Sequence, residues 1–111
     1  MLNFLFRSRS PERDRETDQA RLAHIHQTVR TCVTNAESEL TGLGARLEKA
    51  RHSASMLVGN IDNSEHDEAS RSELRSAEER LLAAERRIVQ LKDHIAALQR
   101  IANAVNLELN S

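Results

Sequence analysis

The sequence predicts an all-α protein, a long antiparallel helical hairpin that packs as a coiled coil. Only one proline and three glycines interrupt its 111 residues, and apolar and charged residues make up 39% and 30% of the chain. Such a composition is typical of long amphipathic helices. Val, Ile and Thr nowhere alternate over a strand-length window, so no segment is predicted to be a β-strand.

The first helix is predicted over residues 11–58, behind a tail of residues 1–9 and at the start of a hairpin of residues 10–111. Ser10 is a good N-cap residue, because its side chain can accept a hydrogen bond from an unpaired backbone amide. Pro11 suits the first helical position, where its missing N–H costs nothing. Gly59-Asn60 is a plausible C-cap that would end the helix.

Apolar residues in the first helix follow a heptad pattern with one irregular step, a four-residue spacing from Ala36 to Leu40. This step predicts a stutter, which locally relaxes the supercoil. Gly42 and Gly44 lie beside it, and each costs about 1 kcal/mol relative to alanine inside a helix. They indicate either a break or hinge near 42–44 or a long helix that tolerates them. The predicted core positions are Leu22, Ile25, Val29, Cys32, Ala36, Leu40, Leu43, Leu47, Ala50, Ala54 and Leu57.

The second helix is predicted over residues 67–107, after a turn at 59–66. Asp62 with Glu65, or Ser64 with Asp67, could cap its start. Its heptad pattern is regular over five repeats, which is strong evidence for coiled-coil packing. The a positions are Leu74, Leu81, Ile88, Ile95 and Ala102, and the d positions are Ala77, Ala84, Leu91, Leu98 and Val105.

The apolar band on the second helix is wider than two helices need. Its extra members flank the a and d positions, and a second hairpin would cover them. We therefore expect a homodimer that forms a four-helix bundle, or assembly with a helical partner. The flanking residues are Leu82, Ala83, Val89, Ala96, Ala97 and Ala104.

Most chemical functions lack a supporting pattern. The formal charge is −1 with both signs interspersed, and the body has no aromatic residue, so nucleic-acid binding is not expected. His24 and His26 face different sides of a helix, and Glu48 with His52 reads as a solvated pair. Cys32 is interpreted as a small buried core residue rather than a nucleophile. We expect no enzyme activity, metal, cofactor or small-molecule substrate, and a cytoplasmic location.

The tail MLNFLFR contains both phenylalanines of the protein. Its candidate docking residues for a partner protein are Leu2, Phe4, Leu5 and Phe6. Folding back onto an end of the bundle and weak membrane contact remain alternatives. The expected function is that of a homodimeric adaptor or scaffold that binds other proteins. An export-type chaperone or stalk protein that holds a client helix, and a peripheral membrane protein, are the alternatives.

Overall fold

The computed structural model describes residues 10–63 and 68–111, and the side chains of residues 10–59 and 68–111. It consists of two helices, α1 (Pro11–Asn63, 53 residues) and α2 (Glu68–Leu109, 42 residues). The described residues contain no strand. The predicted all-α helical hairpin is therefore confirmed. Its dimerisation into a four-helix bundle stays a prediction.

Helix α1 begins with the predicted cap. The backbone N–H of Arg13 donates to the Ser10 hydroxyl oxygen at 3.3 Å, and the N–H of Asp14 donates to the Ser10 carbonyl at 3.0 Å. The first bond satisfies an amide that the first helical turn cannot pair internally, and the second is the first i→i−4 hydrogen bond of the helix. Because Ser10 precedes a proline, its own backbone is biased away from the helical region. The helix start is therefore fixed by local chemistry alone.

Helix α1 ends later than the sequence predicts. It continues through Gly42, Gly44 and Gly59 to Asn63, and no described glycine has a positive φ. A Cβ added at Gly44 or Gly59 would meet no atom within 4 Å, so packing within the chain does not require glycine there. Of the two alternatives at Gly42 and Gly44, the structure shows the continuous helix. The caps predicted from residues 62–67 lie outside the described side chains.

The chain divides into two compact units. Unit 1 is Met1–Thr34 with Ala96–Ser111, and unit 2 is Asn35–Ile95. In unit 1 the start of α1 lies beside the end of α2, since Leu109 lines one groove with Ala20 and Ala23. Its buried apolar residue is Val29. In unit 2 the buried apolar residues are Leu91, the least exposed at 1%, together with Ala36, Leu47, Ala77 and Ile95.

The heptad frame of α1 differs from the predicted one in its first half. Ile25 is 46% exposed and Cys32 is exposed, whereas the adjacent His26 and Val33 are half-buried. With His26 and Val33 at core positions, the spacing alternates between three and four residues from Leu22 to Leu57. The predicted stutter is therefore wrong, and so is the prediction that Cys32 is a buried core residue. Both predictions fail because the heptad frame of Leu40, Leu43 and Leu47 continues towards the start of α1 without an insertion. In that frame Cys32 is a g residue beside the core.

The remaining predicted core positions are buried or half-buried. In α1 Val29 and Leu47 are buried, and Leu22, Leu40 and Leu43 are half-buried. In α2 Leu91 and Ile95 are buried, and the other predicted a and d residues are half-buried apart from the buried Ala77. A seam that is mostly half-buried is what two helices leave when nothing covers their sides. The half-buried α2 residues are Leu74, Leu81, Ala84, Ile88, Leu98, Ala102 and Val105.

Candidate interaction surface

The two sides of the helix pair are defined by heptad positions. With Leu40 and Ile88 both at a positions, Glu39 and Arg87 are g residues, and Arg51 and Glu85 are e residues. We call the side that carries the g residues the g side and the other the e side. The letters apply to each helix in the frame described above.

On the g side of unit 2, an ion pair joins α1 to α2. Arg87 donates from Nε to Glu39 Oε2 at 2.9 Å and from Nη2 to Glu39 Oε1 at 3.1 Å. This two-bond arrangement is the most directional form of an arginine–carboxylate pair. The hydrogen bonds from Arg87 lower the pKa of the Glu39 carboxyl, although partial desolvation opposes the shift, and they raise the pKa of Arg87.

On the e side of unit 2, a second ion pair crosses between the helices. Arg51 Nη2 donates to Glu85 Oε1 at 3.2 Å, and Arg51 Nη1 donates to Glu48 Oε1 of its own helix at 3.0 Å. Pairing of g with g and of e with e occurs when two helices run antiparallel, since parallel helices pair g with e. Within unit 2, the two ion pairs therefore specify orientation and alignment. We infer that Leu40 lies opposite Leu91 and Leu47 opposite Ala84.

On the g side of unit 1, the equivalent positions are apolar. Ile25 and Ile101 are g residues, exposed by 46% and 49% respectively. Cys32 is the next g residue of α1 and is exposed, while Ala97 and Ala104 are c residues of α2 on the same side. We call these five residues, Ile25, Cys32, Ala97, Ile101 and Ala104, the isoleucine face. It is an apolar surface of which four residues are exposed and one, Ala97, is half-buried.

Helix α2 exposes a second apolar row in unit 2. Leu82 and Val89 are b residues, 54% and 60% exposed, and they border the e side rather than the g side. Single exposed apolar residues are ordinary on protein surfaces. A pair at heptad spacing, together with the isoleucine face of unit 1, is a more specific feature. The heptad pattern predicts Leu82 and Val89 as apolar residues that flank the core of α2. Ile25 was instead assigned to the core, because the predicted heptad frame of α1 is wrong there.

The described residues contain neither a metal-binding cluster nor a membrane-spanning helix. No three His, Cys, Asp or Glu side chains from the described part of the chain lie close enough together to hold a metal ion. Within residues 10–63 and 68–111, neither helix has a stretch that is long and apolar enough to cross a bilayer. The tail residues Leu2, Phe4, Leu5 and Phe6 lie outside the described residues.

Comparison with known proteins adds no relative. No family model matches the chain, and neither a curated protein nor a solved structure shows significant similarity to it.

Proposed function

We propose that this chain is a homodimeric, non-enzymatic interaction protein that acts in the cytoplasm. In this proposal two hairpins associate through the isoleucine face of unit 1 and form a four-helix bundle. The observation that carries the proposal is the exposure of Ile25 and Ile101 at g positions, where unit 2 has the Glu39–Arg87 ion pair. Removing an isoleucine side chain from water gives a favourable free energy of association, and a second copy that covers the isoleucine face would remove these side chains from water.

A dimer through the g side of unit 1 would leave the Leu82–Val89 row uncovered. That row suits the apolar stripe of a helix from another protein, since helical partners dock through residues at heptad or i, i+3, i+4 spacing. We therefore propose an adaptor or scaffold that uses one surface for its second copy and another for a partner. A chaperone that holds a client helix is the competing function, and it predicts that the dimer dissociates when a client is added.

Sedimentation equilibrium of three proteins tests the dimer. We expect the wild type to have twice the 12.5 kDa mass of the chain at micromolar concentration. The double variant Ile25→Asp with Ile101→Asp should be a monomer, because the charges would have to be buried unpaired in the interface. The matched control, Leu82→Asp with Val89→Asp, should remain a dimer. Circular dichroism should show equal helicity in all three.

Two results would contradict the proposed assembly. The first is a wild type that is monomeric and fully helical at micromolar concentration. The second is the opposite pattern, in which the Leu82 and Val89 substitutions dissociate the dimer and those at Ile25 and Ile101 do not. Affinity capture with the Leu82→Asp, Val89→Asp dimer then tests the second surface. Loss of a protein that the wild-type dimer retains would support the adaptor function.

A further inference from the structure

An open groove lies over the seam and the e side of unit 1. It has a volume of about 620 Å³, within the range of small-ligand sites, and it lies between the first turns of α1 and the end of α2. Its apolar lining comes from Ala20 and Ala23 of α1 and Leu109 of α2. The two alanines leave space above the helix backbone that larger side chains could fill. The groove is separate from the isoleucine face, which lies on the g side.

The lining of the groove also carries charge. Glu12 and Glu16 of this lining lie one helical turn apart, with Arg15 between them in the sequence. None of these three side chains forms an ion pair with another described residue. The positive end of the helix dipole also stabilises acidic residues near the start of α1. An occupant with apolar side chains and basic residues nearby would therefore match this groove better than an acidic one.

The chain contains one segment with that chemistry close by. Residues 1–9 include Leu2, Phe4, Leu5 and Phe6, followed by Arg7 and Arg9. Ser10 joins them to α1, which begins at Pro11. In this segment the arginines are closest to Ser10, just as Glu12, Arg15 and Glu16 are the groove residues closest to it along α1. If the segment reverses direction at Ser10, its arginines reach the glutamates and its phenylalanines reach the alanines.

The segment is long enough for this path. Ala23 lies twelve residues along α1 from Pro11, a distance of about 18 Å at 1.5 Å per residue. An extended chain covers about 3.3 Å per residue, so Phe4, seven residues before Pro11, can reach about 23 Å and therefore Ala23. Phe6, five residues before Pro11, can reach about 16 Å and therefore Ala20. The N-cap Ser10 favours a change of direction, because a residue before proline is biased away from helical geometry.

We propose that this groove is the docking site of the chain's own N-terminal segment, with Phe4 and Phe6 packed against Ala20, Ala23 and Leu109. The apolar contact supplies most of the attraction, since ion pairs at exposed sites contribute little. Docking covers the two aromatic side chains within the same chain. A partner protein that needs them must then compete with the groove. This inference does not depend on dimerisation.

Fluorescence of Phe6→Trp tests the proposal, because the natural chain has no Trp or Tyr. In this otherwise intact chain, we expect blue-shifted emission and severalfold weaker quenching by acrylamide than in a peptide of residues 1–10 with the same substitution. Adding Ala23→Glu should return both values to those of the peptide. Leu109→Asp, on the other helix, should do the same. The matched control is Ala83→Glu, at an exposed alanine of unit 2, which should change nothing.

Each other outcome overturns the proposal. Emission in Phe6→Trp equal to that of the peptide would show an undocked segment, available to a partner or a membrane. Protected emission that survives both Ala23→Glu and Leu109→Asp would place the segment elsewhere. Protection lost on dilution, or in the monomeric Ile25→Asp, Ile101→Asp background, would show docking on a second copy. Equal helicity of all variants by circular dichroism excludes misfolding as the cause.

Discussion

Unit 2 has the Glu39–Arg87 ion pair on its g side, whereas unit 1 has Ile25 and Ile101 at the equivalent positions. Both units use the same alternation of three- and four-residue spacings for their core. An exposed ion pair is satisfied by water and needs no further partner. Two half-exposed isoleucines interact poorly with water, and covering them with another apolar surface gives a favourable free energy. In a helical hairpin, the residues that flank the core therefore decide which part can associate.

Replacing Leu91 with Asp should have the largest effect, because it breaks the core that supports unit 2. Leu91 is 1% exposed, so the new carboxylate would be buried without a partner. The cost is several kcal/mol, which is comparable to the whole stability of a small domain. We expect circular dichroism to show loss of most helicity. Val89→Asp, at a residue that is 60% exposed, is the control and should remain helical. A Leu91→Asp protein with the wild-type melting temperature would contradict the described core.

Exchanging the g residues of the two units should transfer their properties. Ile25→Glu with Ile101→Arg gives unit 1 the residues of unit 2, and we expect a stable monomer in sedimentation velocity. Helicity should be retained, since these side chains are already about half exposed. The converse exchange, Glu39→Ile with Arg87→Ile, should preserve the dimer and increase self-association. If the first exchange leaves a dimer of unchanged affinity, the difference between the units has no role in assembly.

Gly44→Ala should stabilise the protein, by about 0.5–1 kcal/mol, because glycine is a poor residue inside a helix. A Cβ at Gly44 meets no atom within 4 Å, so it adds no clash within the chain. Guanidinium denaturation measures the change, and Ala45→Gly at the next, exposed residue should cost a similar amount. Gly44 is an e residue of unit 2. Weaker dimerisation of Gly44→Ala would mean that the second copy approaches unit 2 there, not the isoleucine face.

The Glu39–Arg87 pair should give a small dependence of stability on pH. Since the folded state lowers the pKa of Glu39, the pair contributes above the unfolded-state pKa of this carboxyl. Its contribution is lost as the pH falls through the lowered, folded-state pKa. Arg87→Gln should raise the Glu39 titration midpoint, measured by NMR of the side-chain carboxyl carbon, and should remove this acid-range dependence. An unchanged midpoint would show that the two side chains do not pair in solution.

Local signals made much of the fold predictable. Ser10-Pro11 marks the helix start, because capping depends on a few adjacent residues. The a and d positions of α2 follow from five uninterrupted repeats. The frame of the first half of α1 was missed because Ile25 and Cys32 are more apolar than their neighbour His26. Extending the frame of Leu40, Leu43 and Leu47 backwards would have found His26 and Val33.

The isoleucine face was harder to predict than the core. Its members come from two helices, so they form a surface only when the antiparallel alignment is known. Ile25 was assigned to the core and Ile101 to no group, and the pairing of Glu39 with Arg87 was not anticipated. The end of α1 was also missed, since tolerance of Gly59 inside a helix depends on context rather than on the residue alone. The groove beside Leu109 required the same three-dimensional alignment.

The rate at which a thiol reagent modifies Cys32 tests the central claim most directly. Cys32 is the only cysteine, it is exposed, and it belongs to the isoleucine face. We expect rapid modification of the dilute monomer and a severalfold slower rate at concentrations where sedimentation shows a dimer. In the control variant Cys32→Ser with Ser53→Cys, which places the thiol at an exposed g position of unit 2, the rate should not depend on concentration. A constant rate for Cys32 across the monomer–dimer transition would contradict dimerisation through the isoleucine face.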